Sequence, residues 1–115
     1  MANRTIREQR EYIEECLRLI MLKKDVLDAL VIDMNGYPVK STMSDELTLR
    51  YIGLYGQVID KARLMLTQLD STDEITFMRI RSKNHEVIIT PDDKCIFLVI
   101  QNPRSEYRLD GASIE

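Results

Sequence analysis

The stretch Thr76–Pro103, TFMRIRSKNHEVIITPDDKCIFLVIQNP, decides the fold. With the residues just before it, it reads as three short strands: Glu74–Lys83, Glu86–Thr90 and Cys95–Gln101. Asn84-His85 and Pro91-Asp92-Asp93-Lys94 supply the turn chemistry between them. Ile96–Ile100 (IFLVI) is apolar without a break, so this strand is expected to be covered on both faces and central in its sheet. Pro103 stops it.

Strand alternation divides TFMRIRSK into two faces. Phe77, Arg79, Arg81 and Lys83 fall on one, and Thr76, Met78, Ile80 and Ser82 on the other. Met78 and Ile80 belong with a core under a long helix. The basic face has two readings, a solvated charged face or a docking surface for an acidic or amphipathic segment. In the second reading the arginines make forked contacts and Phe77 is the anchor. This strand is left for the second edge of the sheet, and an edge without proline is a template for pairing with another chain. Pairing with its own symmetry mate would be isologous, the commonest oligomer geometry.

Upstream, Thr5–Lys24 has helical periodicity. Ile6, Ile13, Cys16, Leu17, Ile20 and Met21 form one apolar stripe, charged residues fill the other face, and Glu14 and Arg18 stand at i,i+4. Val26–Met34 (VLDALVIDM) reads as a second central strand. Asn35-Gly36 predicts a type I′ hairpin turn, which needs positive φ at both positions. Tyr37–Met43 returns as a strand that Pro38 confines to an edge and Lys40 further protects. Ser44 or Asp45 caps a helix running from Asp45 to Leu69. Its stripe of Leu47, Tyr51, Leu54, Tyr55, Val58, Ala62, Met65 and Leu69 is widened by Ile52, Ile59 and Leu66, giving more apolar surface than one sheet contact needs. Gly53 and Gly56 cost about 1 kcal/mol each relative to Ala inside a helix. They are either tolerated weak spots or points of close approach to another helix. The order helix, two strands, helix, three strands predicts an α+β fold: a five-stranded antiparallel sheet sandwiched between helices.

Length and composition bound the rest. The chain of 115 residues suits one domain, placed at 5–103 and followed by a flexible polar tail at 104–115. Hydrophobic residues at 44% and charged residues at 30% are globular composition. A net charge of -3 argues against a nucleic-acid partner, because phosphate neutralisation needs a basic surface. No signal-peptide pattern or membrane-spanning run is visible, so a cytoplasmic, reducing location is expected, with Cys16 and Cys95 as reduced buried thiols.

The catalytic candidates are weak. His85 is the only histidine and lies in a turn, while Asp92 and Asp93 are adjacent in another turn. Asp33-Met34-Asn35-Gly36 lacks the downstream acidic position of a calcium loop. No phosphate-cradling glycine motif is present. No enzyme activity, metal or cofactor is expected.

Three segments resemble the roadblock-type dynein light chains. Asn35–Met43 (NGYPVKSTM) matches the run Gly-x-Pro-hydrophobic-Lys-Ser-Thr-Met that typifies the family, and Thr76–Lys83 and Phe97–Pro103 (FLVIQNP) match in the same order. The resemblance implies a roadblock, profilin-like fold. It implies a homodimer, or a heterodimer with a roadblock paralogue, built through the Glu74–Lys83 strand and the Leu47–Leu69 helix. Gly53, Gly56, Met78 and Ile80 then fall at the dimer interface, and Phe77, Arg79, Arg81 and Lys83 are the partner-binding residues. It further implies an accessory light chain of cytoplasmic dynein that binds the intermediate chain in microtubule-based transport. Relatives with this fold also act as scaffolds for small GTPases, which is the alternative function.

Overall fold

The computed structural model describes residues 5–92 and 94–103. Its elements are α1 (Ile6–Met21), β1 (Val26–Asp33), β2 (Pro38–Ser41), α2 (Asp45–Leu69), β3 (Met78–Arg81), β4 (Glu86–Pro91) and β5 (Cys95–Gln101). The strands form one five-stranded sheet in the order β2-β1-β5-β4-β3, and every neighbouring pair is antiparallel. The α+β class, the two central apolar strands and the two edges are therefore as expected. The expected tail at 104–115 lies outside the described residues.

Each sheet face carries its own core. On the α2 side, Leu30, Ile32, Val87, Ile89, Ile96, Leu98 and Ile100 pack with Ile59, and Met78 and Ile80 join from β3. On the α1 side, Ala29, Val31, Cys95 and Phe97 pack with Ile13 and Leu17. A fully buried Leu, Ile or Val contributes about 2 kcal/mol, so these two layers hold the sheet together. Neither Cys16, half-buried, nor Cys95, buried, is in a disulfide.

Local chemistry sets the boundaries. Thr5 caps α1: its Oγ1 accepts from Glu8 N–H at 3.0 Å, while the Glu8 carboxylate accepts from Thr5 N–H at 3.2 Å. The expected Glu14–Arg18 pair gives way to Glu15. Arg18 Nε and Nη2 donate to the two Glu15 oxygens at 3.0 and 2.7 Å, and this forked geometry outcompetes a single i,i+4 contact. Arg18 also holds the Glu15 carboxyl below its usual range. Ile6 does not join the buried stripe, because it precedes the first helical turn that meets the sheet.

The β1–β2 turn is not type I′. Among the described residues only Gly36 has positive φ, at 87°. Gly36 N–H donates to the Asp33 carbonyl at 3.0 Å and Asp33 N–H to the Tyr37 carbonyl at 2.9 Å, which encloses a three-residue loop. The Asp33 carboxylate accepts from both Asn35 and Tyr37 N–H at 2.9 Å, holding Asn35 in an ordinary right-handed conformation. In β2, Lys40 faces Val31 and Pro38 faces Ile32, so Val39 is the extra residue of a bulge.

Ser44 caps α2 by accepting from Leu47 N–H at 3.2 Å. Beyond the helix, Asp70 Oδ1 accepts from Thr72 N–H at 2.9 Å and Thr72 Oγ1 at 2.7 Å, a turn that also lowers the Asp70 pKa. This polar turn shortens the next strand. Pairing with β4 begins only at Met78, so Glu74–Phe77 leads into β3 and is not part of it. Lys83 likewise falls in the β3–β4 turn, where Ser82 N–H donates to the His85 carbonyl at 2.8 Å.

Candidate interaction surface

Helix α2 carries more exposed large hydrophobic residues than any other element described. Leu47, Leu54, Val58, Met65 and Leu69 recur at spacings of seven and four, so at about 100° per residue they share one flank. Leu54 is 61% and Leu69 79% exposed. The sheet-facing residues Thr48, Ile52, Tyr55 and Ile59 lie roughly 100° around the helix from them. Tyr55 stacks on Tyr51 with ring centroids 5.5 Å apart, and burial followed by the neighbouring Tyr51 raises its pKa.

The glycines do not lie on this flank. Gly56 lines a small hollow with Ile32 and the β1–β2 turn, and Leu49 lines another beside β2, so that flank faces β2. The apolar stripe therefore runs along the flank toward the β3 half of the sheet. A Cβ added at Gly53 or Gly56 would meet open space, so nothing within the chain demands glycine there. On the exposed side, the Gln57 amide donates to the Gly53 carbonyl at 2.9 Å.

Of the four residues placed at a dimer seam, Met78 and Ile80 are half-buried against the α2-side core, at the open β3 edge. Of the four basic-face residues, Phe77 is 58% exposed just before β3, and Lys83 is exposed in the turn after it. Arg79 and Arg81 do share a face, but they close over Glu86, whose side chain is fully buried. Arg81 Nε lies 3.4 Å and Arg79 Nε 3.5 Å from Glu86 Oε2, and Gln101 Nε2 donates to Oε1 at 2.7 Å. Register explains the cluster: Arg81, Glu86 and Gln101 sit in line across β3, β4 and β5. Both arginines are thus engaged with Glu86, Arg81 half-buried and Arg79 still exposed, while Phe77 and Lys83 lie outside the strand. Glu86 carried a readable signal, a lone carboxylate at the start of an apolar strand directly after a turn from Arg81.

A second polar link was not legible. Tyr12 of α1 donates its hydroxyl to Asp92 Oδ2, in the β4–β5 turn, at 2.6 Å. This hydrogen bond, then one with Cys16, then burial, raises the Tyr12 pKa above its usual range. Asp92 is therefore a structural acceptor that ties its turn to α1. His85 is exposed in its turn, as expected. Among the described residues, no group of His, Cys, Asp and Glu could hold a metal ion, and no helix is long and apolar enough to cross a membrane.

The result is an antiparallel sheet between two helices, with one helix apolar on its outer flank and one sheet edge open. The chain belongs to the Roadblock/LC7 domain family, whose model matches residues 12–102. Its fold is similar to that of the Roadblock/LC7 domain from Streptomyces avermitilis, with a TM-score of 0.67 and 7% identity over 74% of this chain and 72% of that one. MglB of Myxococcus xanthus is similar with a TM-score of 0.69 and 15% identity, covering 90% of this chain and 78% of that one. An MglB structure in a tetrameric arrangement gives 0.66 and 12%, covering 81% and 72%. At these identities the likeness is one of fold.

Proposed function

We propose that this chain is a non-enzymatic roadblock scaffold, acting in the cytoplasm, that self-associates and presents the assembled surface to a small GTPase. The observation that carries it is the apolar stripe of α2 running beside the open β3 edge. An exposed patch of this kind marks an interaction surface, and an unprotected edge is a pairing template. Self-pairing of β3 would continue the sheet across two copies and bring two α2 stripes together. The likeness to MglB, in one case in a tetrameric arrangement, supports assembly as the working state. The GTPase is the partner that the family resemblance offers for scaffolds outside motors. The exposed turn position of His85 supports a role without catalysis. Light scattering on the purified chain should give a dimer or higher assembly, and a GTPase should co-purify in a nucleotide-dependent manner. A monomer at micromolar concentration would remove the proposal.

A second reading is an accessory light chain of dynein bound to the intermediate chain and acting on microtubules. The segments NGYPVKSTM and FLVIQNP favour it. Intermediate-chain fragments retained by the purified assembly, with no GTPase, would establish this reading over the first.

A further inference from the structure

The groove between the first turns of α1 and the β2 edge is used by neither reading. It has a volume of about 450 Å³, within the range of ligand pockets. Ile6, Ile13 and Val39 give it an apolar lining, and Ile6 is 83% exposed, an unusual state for an isoleucine on a cappped and well-formed helix. Three cations stand around it, Arg10, Lys40 and Lys94, against one lining carboxylate, Glu14. Three minus one gives a local +2, on a chain whose net charge is -3. All three cations are exposed, and none forms an ion pair among the described residues.

We propose that this groove docks an acidic amphipathic segment of a partner protein, which enters by its side chains and not as an added strand. An apolar side chain of the partner fills the space between Ile6 and Val39, and its flanking carboxylates meet Arg10, Lys40 and Lys94. Strand addition is disfavoured because Pro38 has no N–H to offer and the Val39 bulge breaks the regular edge. A membrane surface is disfavoured because the apolar residues line a concavity, whereas membrane-binding helices expose theirs on a convex face. The groove lies at the sheet edge opposite β3, four strand spacings or about 19 Å away, so it stays open in an assembly built through β3 and α2. Its occupancy and self-association are therefore separable.

The test is selection from a random 12-residue peptide display library on the immobilised full chain. The same selection is run on the triple variant Arg10→Glu, Lys40→Glu, Lys94→Glu and on Ile6→Ser. These positions are exposed, so the variants keep the fold, which circular dichroism verifies. Enriched peptides should combine Asp or Glu with Leu, Ile or Phe. The best of them, made synthetically, should bind the triple variant at least about tenfold more weakly and should lose affinity as salt rises. Ile6→Ser should weaken it about fivefold by removing the apolar anchor. No enrichment, or equal binding to the triple variant, overturns the proposal. Binding to phosphatidylserine vesicles without any peptide enrichment overturns it in favour of a lipid surface. Unchanged mass in light scattering across these variants keeps the outcome distinct from self-association.

Discussion

Helix α1 turns charged side chains to solvent, where Arg7 pairs with Glu11 at 3.2 Å and Arg18 with Glu15 at 2.7 Å. Helix α2, across the sheet, turns Leu47, Leu54, Val58, Met65 and Leu69 outward instead. Both helices bury an apolar face on the same strands, and both begin with a hydroxyl cap. The difference therefore lies in what each outer surface meets. The ion pairs of α1 are exposed and contribute little to stability, but they make that surface compatible with water. The α2 flank has no such compensation, and the self-association proposed above would cover it.

The comparison breaks most directly by charging the α2 flank. The pair Leu54→Lys and Val58→Glu should weaken self-association by 100-fold or more, about 3 kcal/mol, with the fold retained in circular dichroism. Leu19→Lys, placing a charge on α1, should leave the mass in light scattering unchanged. Equal effects from the two helices would show that α2 is not distinguished.

The next largest effect belongs to the polar cluster on the sheet face shared with α1. Glu86→Ala strips Arg79, Arg81 and Gln101 of their common acceptor and should cost about 2–3 kcal/mol in urea denaturation. The arginines stay partly exposed, 37% and 21%, which keeps the loss below that of a fully buried pair. The assembly should also weaken, since β3 loses a tie to β4. Reversing Arg79 and Arg81 to Glu carries the same fold cost, so that variant cannot report on partner docking alone.

Gly53→Ala and Gly56→Ala sharpen the question of which flank of α2 is occupied. Open space around both sites means each should raise the thermal stability of the chain by about 1 kcal/mol. If the apolar flank alone is the seam, neither change weakens assembly. A drop in assembly with either would move the seam onto the glycine flank.

The smallest effect concerns the anchoring of α1. Tyr12→Phe removes the bond to Asp92 and should cost about 1 kcal/mol. Because folding raises the Tyr12 pKa, this contribution is fully present below the ordinary tyrosine value near 10 and is lost as pH rises beyond it. The stability gap between the native chain and the Phe variant should therefore be smaller at about pH 11 than at about pH 8 in denaturation, closing only as pH passes the raised folded pKa.

Much of this architecture was legible in the residues. The uninterrupted runs of β1 and β5 could only be covered on both faces, and Pro38 could only sit at an edge. The cap, Ser44 or Asp45, and the periodicity after it placed the helix near Asp45–Leu69, and the structure has Ser44 as the cap. What escaped was decided by competition between local choices. Asp33 could accept from two backbone N–H groups, and that overrode the Asn-Gly preference for type I′. Glu15 offered Arg18 a fork where Glu14 offered a single bond. The candidate surface was half readable: alternation correctly separated Met78 and Ile80 from Arg79 and Arg81.

The sequence by itself determined the sheet, its two helices, the family and the excess of apolar surface on α2, because periodicity, proline and capping residues act over a few neighbouring positions. Only the tertiary structure decided where that surface points and what the basic face does. Register between β3, β4 and β5 brings Glu86 beneath Arg79 and Arg81 from across a turn, and Gln101 from 15 residues further on. The turn after Arg81 points to its contact with Glu86, but the meeting with Gln101 follows only from how the strands align. It ties two arginines that look available in the chain to one buried carboxylate, and it leaves the α2 flank without a partner among the described residues.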